Sequence, residues 1–173
     1  MATPTAERML DLATRHALAE HSGDWAAVLA TMSSDPYYEW YPLGIRVRGA
    51  EALTMMWERL LTRDDPTLSA ILEQSNREWV LKDHVLFTVE WSIAAEGRQE
   101  KSRTYAIFGF TDDRIEREIC YCDPVMEKFA ERAFDKELLA APGVERIPGF
   151  SRPLIPTTAT AGSLTDRPGG GDS

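Results

Sequence analysis

The sequence predicts an α+β fold. A curved antiparallel or mixed β-sheet is packed by three helices from the N-terminal half and one helix near the C-terminal end. Three observations carry this. A helical apolar stripe runs from Thr5 to His21, and long alternating runs separated by short polar turns begin near Ser69. The last such run, Ile115 to Cys122, leads through Asp123 and Pro124 into another helical stripe.

In the first helix Met9, Leu10, Leu12, Ala13, Ala17 and Leu18 form the apolar stripe, with Glu7, Arg8, Asp11, Arg15 and Glu20 outside it. Ser22-Gly23 breaks it, and Asp24 suits the N-cap of a short helix over Trp25 to Ala30. Ser34-Asp35-Pro36 reads as a turn. Tyr37 to Tyr41 then reads as an aromatic strand ended by Pro42, with Ile45 to Arg48 as its hairpin partner. Gly49 opens a third helix from Ala50 to Leu61, burying Leu53, Met56, Trp57, Leu60 and Leu61, and Thr62-Arg63-Asp64-Asp65-Pro66 stops it.

Three strands follow, over Ser69–Leu81, His84–Ala94 and Lys101–Phe110, turning at Lys82-Asp83 and Glu96-Gly97. Along the second, Val85, Phe87, Val89, Trp91 and Ile93 share one face. A tight turn at Thr111 to Arg114 leads to the final strand, where Ile115, Arg117, Ile119 and Tyr121 share a face. Glu116, Glu118, Cys120 and Cys122 take the other. The closing helix carries Met126, Phe129, Ala130 and Phe134 and is expected to reach Ala140. Residues 1–135 read as one domain, 136–153 as the helix end and an extension, and 154–173 as a disordered tail rich in Thr, Ala, Gly, Ser and Pro.

A net charge of -9 over 173 residues argues against nucleic acid or an anionic membrane as partner, because phosphates would repel the chain. No apolar run reaches the roughly 20 residues of a bilayer span, and the start lacks the marks of a signal peptide, so a cytoplasmic protein is expected. Cys120 and Cys122 stand one residue apart, a poor spacing for a disulfide. With three histidines in all, no metal site is expected. No phosphate loop or dinucleotide fingerprint signals a cofactor.

The order of elements resembles the nuclear transport factor 2-like superfamily, and within it the SnoaL-like branch of polyketide cyclases, ketosteroid isomerase, limonene epoxide hydrolase and scytalone dehydratase. The local marks are Gly49-Ala50-Glu51-Ala52-Leu53 at the third helix and the closing Tyr121-Cys122-Asp123 with Ile115 upstream, within a match over Thr5 to Phe134. The resemblance implies a cone, its curved sheet wrapped around a deep apolar pocket and closed by helices, and a homodimer. It places Asp123 where many of these enzymes hold a pocket carboxylate. Tyr38 matches a water-holding tyrosine of the hydrolase, but Trp40 replaces its asparagine, and Val89 and Trp91 stand where it has arginine and aspartate. A hydrolase of that mechanism is therefore not expected. The cyclases' histidine would lie near Phe108 or Gly109, so that partner is missing. Glu39 is nearest to the isomerase's aspartate.

The candidate catalytic residues are thus Asp123, Glu39, Tyr38 and Tyr105, the tyrosines as donors to an enolate. Trp40, Trp91, Val89, Arg103, Ile107, Tyr121, Trp57 and His16 are the candidate lining for a flat hydrophobic substrate of polyketide, terpenoid or steroid type. A carboxylate in such a pocket becomes a usable acid or base near neutral pH, suiting isomerisation, cyclisation or dehydration. Asp123 before Pro124 fits a helix N-cap equally well. A silent binding or dimeric interaction module with the same cone is the alternative to an enzyme.

Overall fold

The computed structural model describes residues 4–41, 43–60, 71–95 and 98–150, and of residues 71–76, 93–95 and 98 only the backbone. The expected end at Pro42, the helix end at Leu61 with its stop from Thr62 to Pro66, the turn at Glu96-Gly97 and the tail at 154–173 lie outside the described residues.

Local signals set the helices. α1 (Ala6–Ser22) begins where the Thr5 hydroxyl accepts the Arg8 N–H and ends at Gly23, whose φ of 71° a side chain would strain. Asp24 caps α2 (Trp25–Thr31) by accepting the Ala27 N–H. α3 (Ala50–Leu60) buries Leu53, Met56 and Trp57. The closing helix is two pieces, α4 (Pro124–Glu131) and α5 (Lys136–Ala140), because Asp135 accepts the Leu138 N–H and starts a new helix.

The strands are β1 (Met32–Trp40), β2 (Ile45–Arg48), β3 (Ile71–Val80), β4 (His84–Ala95), β5 (Arg98–Thr111), β6 (Arg114–Cys122) and β7 (Val144–Arg146). They form one open sheet in the order β3-β4-β5-β6-β1-β2-β7. The meander β3 to β6 is antiparallel, as its turns predict, and β6 returns beside β1 in parallel. The sheet is therefore mixed.

Two irregularities matter. β1 starts earlier than expected and runs through Ser34-Asp35-Pro36, where the pairing slips between Met32 and Tyr37. Proline is tolerated there because the ladder is already interrupted, and the Pro36 carbonyl instead accepts the Gly49 N–H. In β6, Ile115 pairs with Phe110 but Arg117 pairs with Gly109, leaving Glu116 as the extra residue of a bulge. Bulges bend strands, and this curved sheet wraps around α1 and α3.

The second bulge also resets the faces. Beyond it Glu118 and Cys120 turn inward beside Tyr38 and Trp40, while Arg117, Ile119 and Tyr121 turn outward. On β5 the inner residues are Ser102, Thr104, Ala106 and Phe108, all buried. On β4 they are Val85, Phe87 and Val89, as the alternation predicts. β7, which the sequence did not reveal, pairs antiparallel with β2.

Candidate active site

The expected carboxylate, Asp123, is a structural cap. Its carboxyl group accepts the Ser102 hydroxyl and the Arg103 N–H, each at 2.7 Å, and the Val125 and Met126 N–H groups at 3.1 and 3.0 Å. Partial burial alone would raise its pKa, but these four hydrogen bonds outweigh burial and hold it below the usual carboxylate range. A carboxylate so held is a weak base. Of the two readings of Asp123, the geometry supports the cap.

Five further expected site residues are placed on the outer face by strand parity. Arg103, Tyr105 and Tyr121 lie on the outer face, with Tyr105 and Tyr121 40% and 42% exposed, and Arg103 paired with Glu90. Ile107 shares that face, in register with Ile119. Glu39 is buried but also points outward, where its Oε1 accepts Arg46 Nε at 2.9 Å and Nη2 at 2.6 Å. Tyr41 and Tyr121 stack on the same outer side, 4.7 Å between ring centres.

The other candidates face inward. Trp40 donates to Met56 Sδ at 3.3 Å and packs against Phe134, Trp91 donates to Thr104 Oγ1 at 3.1 Å, and Val89 is buried. Tyr38, His16 and Trp57 converge. The Trp57 ring stacks on Trp25 and meets Tyr38 edge-on at 5.6 Å and His16 at 6.4 Å.

Around His16 lies a buried polar network that the sequence reading did not assemble. His16 is fully buried. Its Nδ1 lies 2.7 Å from Thr31 Oγ1, and its Nε2 lies 2.6 Å from the Tyr38 hydroxyl. Thr31 donates its own proton to the Val28 carbonyl at 2.6 Å, and Tyr38 donates its proton to Glu20 Oε1 at 2.6 Å. Both hydroxyls have thus spent their only hydrogen and must accept from the ring. Both ring nitrogens then carry protons, and His16 is an imidazolium.

Electrostatics agree. Burial alone would lower the His16 pKa, but the charge of Glu20 and the contacts with Glu118 and Glu20 overcome it and raise the value to about 9. Glu118 Oε2 stands 3.5 Å from His16 Nε2, and Glu20 Oε1 stands 3.4 Å from it. Burial, then the Glu20 charge, push the Glu118 carboxyl above its ordinary range, although His16 and Tyr38 pull the other way. Burial and the Glu118 charge push the Cys120 thiol well up, so it stays protonated and donates to Glu118 Oε1 at 3.4 Å. Tyr38 is likewise held as a neutral phenol, by burial and by the Glu118 and Glu20 charges.

Among the described residues, two buried side-chain polar atoms lack a hydrogen-bond partner: Glu118 Oε2 and Trp57 Nε1. Glu118 Oε2 lies 3.5 Å from His16 Nε2, and the Trp57 ring packs against both His16 and Tyr38. His16, Glu20 and Glu118 also bring ligand atoms within 4.8 Å of one another, a spacing open to a divalent cation.

The sequence signal for this network was the position of His16. Met9, Leu12, Ala13, His16 and Ala19 form the buried stripe of α1, so the histidine sits at its centre. Glu118 carried no such signal, because only the bulge at Glu116 turns it inward.

An open curved sheet with helices on its inner face, and a buried acid–base cluster between them, defines a protein of nuclear transport factor 2-like architecture. Residues 13–118 match the SnoaL-like domain family, more than half of the chain, and the protein belongs to that family. Solved structures agree on the fold. A Xanthomonas campestris protein with a cystatin-like fold shares 18% identity over 72% of this chain and 97% of its own, with a TM-score of 0.57. A Kribbella flavida DSM 17836 protein provisionally named a ketosteroid isomerase shares 14% over 68% and 78%, at 0.55. An NTF2-like protein from Burkholderia xenovorans LB400 shares 17% over 78% and 99%, at 0.53. Comparison with curated proteins gives no match. Among the described residues no helix is long and apolar enough to cross a membrane.

Proposed function

We propose that this protein is a cofactor-independent enzyme of isomerase, cyclase or dehydratase type, moving a proton on a hydrophobic polyketide-, terpenoid- or steroid-like molecule. The general acid/base is Glu118, in place of the Asp123 expected from the sequence. The observation that supports this reading is Glu118 Oε2, a buried carboxyl oxygen that makes no hydrogen bond among the described residues and stands 3.5 Å from His16 Nε2. A carboxyl whose ionisation is made costly by burial is a stronger base when ionised, and its pKa lies nearer working pH. As base it takes a proton from the carbon beside a carbonyl, and the C–H electron pair moves into the enolate. The positive charge at His16 favours the developing oxyanion. Return of the proton to a different carbon completes an isomerisation.

The reading keeps the protein in the cytoplasm, where its two unpaired thiols are at home. It has the protein act as a homodimer, supported by the exposed aromatic surface of the outer sheet face, with neither nucleic acid nor membrane as partner. A binding or interaction module without turnover is the second reading, favoured by the capping role of Asp123.

The test is exchange of α-protons of neutral ketones in D2O, followed by NMR. Wild type is expected to accelerate exchange, and Glu118→Gln to lose roughly 10²–10⁴-fold of that rate. Binding without accelerated exchange would support the module; a fully active Glu118→Gln would end Glu118's role.

A further inference from the structure

We infer that Tyr38 and Glu20 form a proton path between the buried His16–Glu118 pair and water, with Glu20 as its outer end. A proton taken up at Glu118 then leaves to solvent and is not the one that returns to the substrate. This use in turnover rests on the acid–base reading of Glu118. The outer half of the path, from His16 to water, stands on hydrogen bonds alone. His16 has two ring N–H groups, and their surroundings differ. On the Nδ1 side Thr31 Oγ1 accepts at 2.7 Å and gives its own hydrogen to the Val28 carbonyl at 2.6 Å. Thr31 is buried and a backbone carbonyl passes no proton onward, so that side is closed. On the Nε2 side the Tyr38 hydroxyl lies 2.6 Å away and gives its hydrogen to Glu20 Oε1, also at 2.6 Å. Each group in that row can accept a proton and give one up. The row ends at a side chain that is 22% exposed, whereas His16 has no exposure at all.

The bookkeeping of the transfer closes. The Nε2–H bond of His16 breaks as a new O–H bond forms on Tyr38, while the original phenol O–H breaks and its proton joins Glu20. Tyr38 keeps one hydrogen throughout and never becomes a tyrosinate, in keeping with burial and two nearby carboxyl groups that hold it neutral. Glu20 releases the proton to water. The Nε2 lone pair left on His16 then takes the proton carried by Glu118 Oε2, 3.5 Å away, which restores the imidazolium and the ionised carboxylate. That oxygen makes no hydrogen bond among the described residues, so none of them competes for its proton. Every electron pair stays on its nitrogen or oxygen, and water is the only acceptor the path needs.

The experiment measures how fast each His16 ring proton exchanges with water, by NMR magnetisation transfer in the full chain labelled with nitrogen isotope at histidine. His16→Gln assigns the two signals. The Nε2–H is expected to exchange roughly 10²-fold faster than the Nδ1–H of the same ring. Glu20→Gln keeps an oxygen acceptor for Tyr38 but cannot take up the proton, and is expected to bring the Nε2–H down to the Nδ1–H rate. A general loosening of the fold would move both rates together, so the gap between them reports the path and not stability. An Nε2–H no faster than the Nδ1–H in wild type overturns the inference. A gap that persists in Glu20→Gln overturns it too, because Glu20 is then not the outer end. The wild-type gap needs no variant, so a Glu20→Gln chain that folds poorly does not block the test. Exchange of ketone α-protons separates this inference from the reading it rests on. Accelerated α-proton exchange with equal ring-proton rates ends the path and leaves Glu118 as acid/base. A fast Nε2–H with no α-proton exchange ends the role in turnover and leaves the outer path.

Discussion

Replacing His16 with Gln removes a pH dependence that the folded protein otherwise carries. The imidazole has a pKa of about 9 in the fold against an ordinary 6.5. Between those values the folded state binds a proton that the unfolded chain has released. The resulting stability is fully present below 6.5 and is lost as pH rises through 9. At 1.36 kcal/mol for each pKa unit, the loss across that window comes to about 3 kcal/mol. His16 is fully buried, so solvent screening does not reduce this figure. Glu118, also raised, contributes with the same sign, losing stability as pH rises through its folded value. Wild type is therefore expected to weaken steadily in urea unfolding between pH 6.5 and 9, followed by tryptophan fluorescence. His16→Gln is expected to lose much less over the same range, whatever its stability at the acid end. Nitrogen NMR of the ring gives a second reading, with both ring nitrogens protonated at pH 7.5. A wild type equally stable across the window, or a ring that titrates below 6.5, would refute the imidazolium and the hydrogen-bond directions behind it.

Thr31→Val removes the acceptor of the His16 Nδ1 proton and leaves that buried donor unmatched, at a cost of about 1–3 kcal/mol. The same change is expected to lower the His16 pKa by NMR titration, and Thr31→Ser, which keeps the hydroxyl, to restore it. Asp123→Ala is expected to cost about 2 kcal/mol through the lost cap, measured by urea unfolding, while α-proton exchange stays unchanged. Because the folded Asp123 pKa is depressed, its stabilisation is present above the unfolded value and lost as pH falls through the folded one. The difference between wild type and Asp123→Ala should accordingly shrink in acid.

The helices and the meander were legible because their signals are local. Met9, Leu12 and Ala13 mark a helical stripe, and Val85, Phe87 and Val89 mark one face of a strand, without reference to the rest of the chain. The site was legible only in part, since Tyr38, Trp57 and His16 were named but not joined. The carboxylate was misplaced for a specific reason. Alternation carried outward from Ile115 puts Arg117 and Tyr121 inside, and one extra residue at Glu116 exchanges them for Glu118 and Cys120. Nothing in Ile115 to Cys122 announces that bulge, which depends on how β6 meets β5 and β1 together. The outer face misled in the same way. Arg103 and Tyr105 look like site residues by type, yet small Ser102 and Thr104 are the ones that point inward.

β7 closes what would otherwise be a bare margin of the sheet. Ile45 to Val47 of β2 pair with Val144 to Arg146, the Arg48 N–H is taken by the Gly143 carbonyl, and Ile147 returns to the Gly44 carbonyl. Phe150 then lies so near Gly44 that a β-carbon there would come within 2.1 Å of its ring, at a φ of 65° that already favours glycine. A chain cut before Pro142 would present β2 as an unpaired strand with free N–H and C=O groups, the template on which separate molecules stack into aggregates. The short charged run Val144-Glu145-Arg146 thus covers an edge that would otherwise be open to strand pairing.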